Sequence, residues 1–136
     1  VSTFDKPATE YGKRLEKIIR RAREKNPNLP IYVIGIYNPF YLNFPELTDM
    51  QLVVDKWNQE TESRTRKFSG VYFVPINDLL YKGLEGEQGV SVNTSKIANN
   101  LLYGEDSFHP NNTGYEIIKQ AVMEKIRVTK EEWKNK

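Results

Sequence analysis

The sequence predicts an α/β fold built around a parallel sheet, on three observations. Ile31 to Tyr37 and Val71 to Ile76 are short, nearly unbroken apolar runs rich in β-branched and aromatic residues, as in strands covered on both faces. A stretch with helical periodicity separates them, which gives the strand–helix–strand order of a βαβ unit. Further helical patterns precede and follow the pair.

In chain order, Tyr11, Leu15, Ile18, Ile19 and Ala22 recur at i, i+4, i+7, i+8 and i+11, which predicts an amphipathic helix over about Thr9 to Lys25. Asn26-Pro27 ends it, because proline forces its predecessor out of the helical region. After the first apolar run, Asn38-Pro39 opens a loop through Pro45. Leu47, Met50, Val54 and Trp57 then mark one face of a second helix reaching Arg64 to Lys67. Pro75 closes the second run or places it near a sheet margin, and Asn77 to Tyr81 is read as a helical turn capped by Asn77-Asp78. Ser95 to Leu102 is expected as a short helix. Thr113 and Glu116 have the T-x-x-E spacing of a capping box, with Tyr115, Ile118, Val122 and Ile126 on one face of a helix ending near Arg127. Thr129 to Lys136 adds a short terminal helix.

Composition narrows the chemistry. With no cysteine there is no disulfide framework, thiolate nucleophile or Cys-ligated metal. The single histidine, His109, must carry any imidazole acid–base role. Lys+Arg number 20 against 18 Asp+Glu, an excess too small to imply nucleic-acid binding by itself, and no nucleic-acid partner is expected. The basic first helix, with Lys13, Arg14, Lys17, Arg20, Arg21, Arg23 and Lys25, also carries Glu10, Glu16 and Glu24, and reads as a solvated face. Apolar residues make up 38%, thin for a domain of this length. No apolar stretch approaches a membrane span and no signal peptide opens the chain, which starts at Val1; a fragment or processed product is expected. Glu85, Glu87 and Asp106 match no defined metal loop, so neither a metal nor another cofactor is expected.

The informative segment is D-S-F-H-P-N-N-T-G-Y, Asp106 to Tyr115. An imidazole can take a proton from a hydroxyl nucleophile when a carboxylate fixes its tautomer and stabilises the imidazolium that forms. A D-x-x-H spacing in a tight loop can return the Asp106 carboxylate to Nδ1 of His109, and Pro110 holds His109 extended. Asn38, Phe40 and Tyr41 follow a strand, at the edge where α/β folds bind ligands, and are candidate substrate contacts.

The segment resembles the last block of SGNH hydrolases, also called GDSL lipases or acylhydrolases, whose usual form is D-G-x-H-P-N-x-x-G-Y; Ser107 stands where many members have glycine. N-P-N-L-P, I-Y-V-I-G-I-Y-N-P-F and V-Y-F-V-P-I extend the resemblance to the C-terminal half of a branch found in Gram-positive bacteria. The resemblance implies a flavodoxin-like three-layer fold, of which residues 1–136 form the later part of one domain. It implies His109 as general base and Asp106 as its partner. The family's nucleophilic serine lies in a G-D-S block and its oxyanion hole uses a G-x-N-D block; neither block occurs here. The expected activity is ester hydrolysis by the parent protein, on a lipid ester or an acetylated carbohydrate, with the isolated chain inactive. An exposed sheet edge would favour self-association. The parent is expected to be extracytoplasmic or membrane-anchored, with no anchor in this chain. The competing reading is a non-enzymatic α/β binding or interaction module in which Asp106 and His109 only shape a loop.

Overall fold

A computed structural model describes residues 2–84, 91–93 and 96–136. Helix α1 (Asp5–Ala22) leads into strand β1 (Ile31–Ile34), helix α2 (Thr48–Thr65), strand β2 (Val71–Val74) and a single turn, α3 (Asn77–Leu80). Strands β3 (Ser91–Asn93) and β4 (Lys96–Ala98) form an antiparallel pair, and helix α4 (Asn112–Thr129) runs into a 3-10 turn, Lys130–Glu132. Among the described residues no helix is long and apolar enough to cross a membrane.

β1 and β2 pair in parallel, Ile31 with Val71 through Ile34 with Val74, and α2 is their crossover. Because side chains alternate along a strand, each face of this pair meets a different partner. Ile31, Val33 and Val71 pack with Leu15 and Ile19 of α1 and with Tyr11 and Phe68. On the other face Tyr32 and Val74 join Ile76, Leu80, Leu101 and the Ile117, Ile118, Ala121 and Val122 side of α4. The result is a helix–sheet–helix α/β arrangement with a two-stranded, open sheet: among the described residues one edge of β1 and one edge of β2 are unpaired.

The buried side of α1 comprises Ala8, Gly12, Leu15, Glu16 and Ile19; Ile18, assigned to the apolar stripe by periodicity, is 65% exposed. Gly12 is where α1 meets α2, since a Cβ there would lie 2.3 Å from Glu60 Oε1. Beside it Glu16 faces Lys67 at 2.8 Å and Arg64 at 3.4 Å, and these cations hold its carboxyl below the usual range, Lys67 foremost. Lys13 pairs with Glu10, Arg20 with Glu16 and Arg21 with Glu24, consistent with a solvated charged face.

Several boundaries differ from expectation for identifiable reasons. β1 stops at Ile34, and at Ile36 the Asn58 side chain replaces a strand partner, accepting from the Ile36 N–H and donating to its carbonyl, both at 2.9 Å. Leu47 lies outside α2 and is exposed, while Val54, Thr61 and Thr65 are the buried residues of that helix. Asn77 does not cap α3; its Oδ1 accepts the backbone N–H of Asn38. The expected helix over Ser95 to Leu102 is absent, with β4 at Lys96–Ala98 followed by Asn99 and Asn100. Asn99 donates to the carbonyls of Leu80 and Tyr81 and accepts from Leu101 N–H, so its side chain takes up backbone groups and the chain turns. The terminal segment forms the short 3-10 turn, and Glu85 and Glu87 lie outside the described residues.

Candidate active site

Asp106 and His109 meet as their spacing predicts. Asp106 Oδ2 lies 2.7 Å from His109 Nδ1, while Oδ1 accepts the backbone N–H groups of Phe108 at 2.9 Å and His109 at 3.1 Å. One carboxylate therefore shapes the loop with one oxygen and orients the imidazole with the other. The Phe108 N–H and then the His109 side chain hold the Asp106 carboxyl below the usual range, so it is ionised at neutral pH. An ionised carboxylate only accepts hydrogen bonds, so Nδ1 carries a proton, and in the neutral form of the ring the lone pair is on Nε2. Nε2 makes no hydrogen bond among the described residues, and the His109 side chain is 67% exposed. The pair can accept a proton from a hydroxyl brought to this surface.

The loop is fixed to the scaffold by Asn111. Its side chain donates to the carbonyls of Asn100 at 2.7 Å and Leu102 at 3.2 Å and accepts Gly114 N–H at 2.9 Å, which makes Asn111 the N-cap of α4. The capping box expected from Thr113 and Glu116 is thus displaced: the cap lies two residues earlier, and Glu116 bonds Lys119 and Gln120 on the helix surface. Tyr115 is correspondingly exposed. Pro110 is buried and bridges Leu102, and Tyr103 N–H donates to the His109 carbonyl at 2.7 Å.

Ser107 has φ of 52°, the left-handed region in which glycine carries no steric penalty. This conformation gives a physical reason for glycine at the matching position of the family pattern. Ser107→Gly is expected to raise stability by up to about 1 kcal/mol, the relieved strain exceeding the extra freedom of the unfolded chain. A lower urea midpoint would instead show that the serine side chain supports the loop.

The segment after β1 lies against this loop. Tyr37 donates its hydroxyl proton to the Phe108 carbonyl, and the Phe40 ring sits 5.8 Å from that of Phe108, which in turn is 5.3 Å from the His109 ring. Phe40 is therefore within the same aromatic group as the imidazole. Tyr41 packs on Tyr81 at 4.8 Å. Asn38 is buried: it accepts Phe40 N–H at 2.9 Å, donates to Gln51 at 3.2 Å and sends its backbone N–H to Asn77, so it shapes the turn that carries Phe40. Sequence reasoning missed Tyr37 and Asn111 as parts of the site. The asparagine of H-P-N carried a usable signal, because Asn ranks among the strongest N-cap residues.

The chain is 33% identical over 127 residues to the uncharacterized protein YpmR of Bacillus subtilis (strain 168), across 93% of this chain and 45% of that protein. Its fold matches a solved structure, "The structure of a putative platelet activating factor from Streptococcus pneumonia", with a TM-score of 0.59 at 21% identity, over 88% of this chain and 52% of that one. The chain thus spans about half the length of each. A model of the GDSL-like lipase/acylhydrolase family matches residues 2–117, from before α1 through the Asp106–His109 loop and into α4, and the chain belongs to that family.

Proposed function

We propose that residues 1–136 form the C-terminal portion of an SGNH hydrolase domain that cleaves carboxylic esters. His109 is the general base and Asp106 its orienting partner. The observation that carries this reading is the bidentate use of Asp106, which fixes both the peptide at His109 and its ring tautomer and leaves Nε2 available. Membership of the family, the coverage of about half of each related protein and the absence of a G-D-S block from the sequence support placing the nucleophile in a preceding portion of the domain. The unpaired edge of β1 is where that portion would continue the sheet, and where a second copy would pair in the isolated chain.

In the complete enzyme, Nε2 takes the serine proton as the hydroxyl oxygen attacks the ester carbonyl. The protonated imidazole then returns that proton to the departing alkoxide, leaving an acyl-serine. Water repeats the cycle: its proton goes to Nε2, its oxygen to the acyl carbon, and the serine recovers its proton as the acid leaves. Asp106 stays ionised throughout and stabilises the imidazolium. Phe40 and Tyr41 contribute apolar contacts to the substrate, a lipid ester or an acetylated carbohydrate.

A fluorophosphonate probe tests the assignment. The full-length protein is expected to be labelled on a serine outside this chain, and residues 1–136 alone to remain unlabelled. Labelling of Ser2, Ser63, Ser69, Ser91, Ser95 or Ser107 overturns the proposal. A full-length protein that takes no label favours the non-enzymatic module.

A further inference from the structure

We infer that Tyr37 is a positioning residue for His109, acting through the peptide group that joins Phe108 to His109; this rests on the reading of His109 as the general base. A peptide group is planar, so its C=O and N–H turn together, and its orientation sets the direction in which the next Cα–Cβ bond leaves. Here both ends of one peptide plane are held. The Phe108 carbonyl accepts from the Tyr37 hydroxyl, and the His109 N–H donates to Asp106 Oδ1 at 3.1 Å. The following carbonyl, that of His109, accepts from Tyr103 N–H at 2.7 Å.

These bonds differ in what they anchor to. Asp106 and Tyr103 are close to His109 in sequence, within the same loop. Tyr37 comes from the segment that follows β1, 71 residues away in sequence from Phe108, and its ring packs against the buried cluster of Val74, Ile76, Leu80 and Leu101. Its hydroxyl thus refers the histidine peptide to the hydrophobic core. Phe40, on the same segment, adds a ring contact to Phe108, so the loop meets this segment at two points. The left-handed Ser107 just before this peptide makes such an anchor consequential, because a strained loop relaxes when a restraint is removed. Burial foremost, then the neighbouring Tyr115 and Asp106, pushes the Tyr37 hydroxyl up to about 12, so it stays protonated and able to donate at neutral pH.

Tyr37→Phe deletes the hydroxyl and keeps the ring. In the complete enzyme it is expected to lower kcat about tenfold, the equivalent of one hydrogen bond, with KM changed less than about twofold. His109→Ala, measured alongside, tests the underlying assignment. Loss of turnover in His109→Ala with unchanged kcat in Tyr37→Phe overturns the positioning role and leaves the base assignment standing. A fall in kcat that merely tracks the folded fraction, followed by circular dichroism, overturns it as well. The third readout needs no turnover: His109 is the chain's one histidine, so ¹⁵N NMR of the imidazole reads the site directly. Tyr37→Phe is expected to split or broaden the single Nδ1–H tautomer signal. An unchanged signal overturns the inference even if His109→Ala retains activity and the base assignment itself fails.

Discussion

Under the proposed role of His109 as general base, His109→Ala in the full-length protein is expected to lower kcat/KM for a simple ester such as p-nitrophenyl acetate by roughly 10⁴–10⁶-fold, the range for loss of a triad member. Without the imidazole no group in the described structure stands ready to take the serine proton, and the serine hydroxyl is a weak nucleophile until a base takes that proton. The loss should appear mainly in kcat, because the proton is transferred in the transition state and contributes little to ground-state binding. Folding should survive, since the side chain is two-thirds exposed and its removal opens no cavity in the core. A variant that folds normally and retains near-normal turnover would remove His109 from the mechanism.

Gly114→Ala is expected to destabilise the fold by about 1–3 kcal/mol, as overpacking does. Helix propensity alone gives the opposite sign, because alanine is favoured over glycine in a helix interior by about 1 kcal/mol. Packing decides the outcome. A Cβ at this position would lie 2.4 Å from the Leu101 carbonyl oxygen and 2.9 Å from Pro110 Cβ. Neither is the end of a flexible side chain. The Leu101 carbonyl also accepts Asn111 N–H at 2.9 Å, so moving it loosens the residue that caps α4 and ties down the histidine loop. Urea denaturation should show a lower midpoint with little change in slope; a higher midpoint would mean that helix propensity prevails.

How much was legible in the sequence depended on the distance over which each feature is determined. The βαβ order followed from local patterns, since Ile31 to Ile34 and Val71 to Val74 carry strand-forming residues and α2 keeps helical periodicity between them. The Asp106–His109 pair was legible because three residues in a tight loop allow one carboxylate to reach both backbone and ring. Other readings failed where a side chain took the place of a backbone partner. Asn58 ended β1, Asn99 turned the segment expected as a helix, and Asn111 capped α4 before Thr113 could. Periodicity weighs apolar positions and is blind to such amides. Ile18 illustrates the converse: it fits the apolar rhythm of α1, yet the buried side is set by where α2 and the sheet lie. Tyr37 left no local signal, because its partner is a carbonyl that only the folded chain brings near.

The far end of α4 gives the site a mechanical character. Beyond its C-terminus Trp133 donates to the Tyr32 hydroxyl, Tyr32 bonds Thr129, and Tyr72 bonds Glu132, so the helix is pinned to both strands at the end remote from His109. An 18-residue helix is about 27 Å long, so a tilt of roughly 2° about that pin moves its opposite end by about 1 Å. Misplacement on that scale costs a catalytic group roughly a hundredfold in rate. α4 therefore joins the loop that carries His109, held at its N-terminus by Asn111, to two strand tyrosines at its C-terminus, and under the proposed role of His109 hydrogen bonds a full helix length away contribute to its placement.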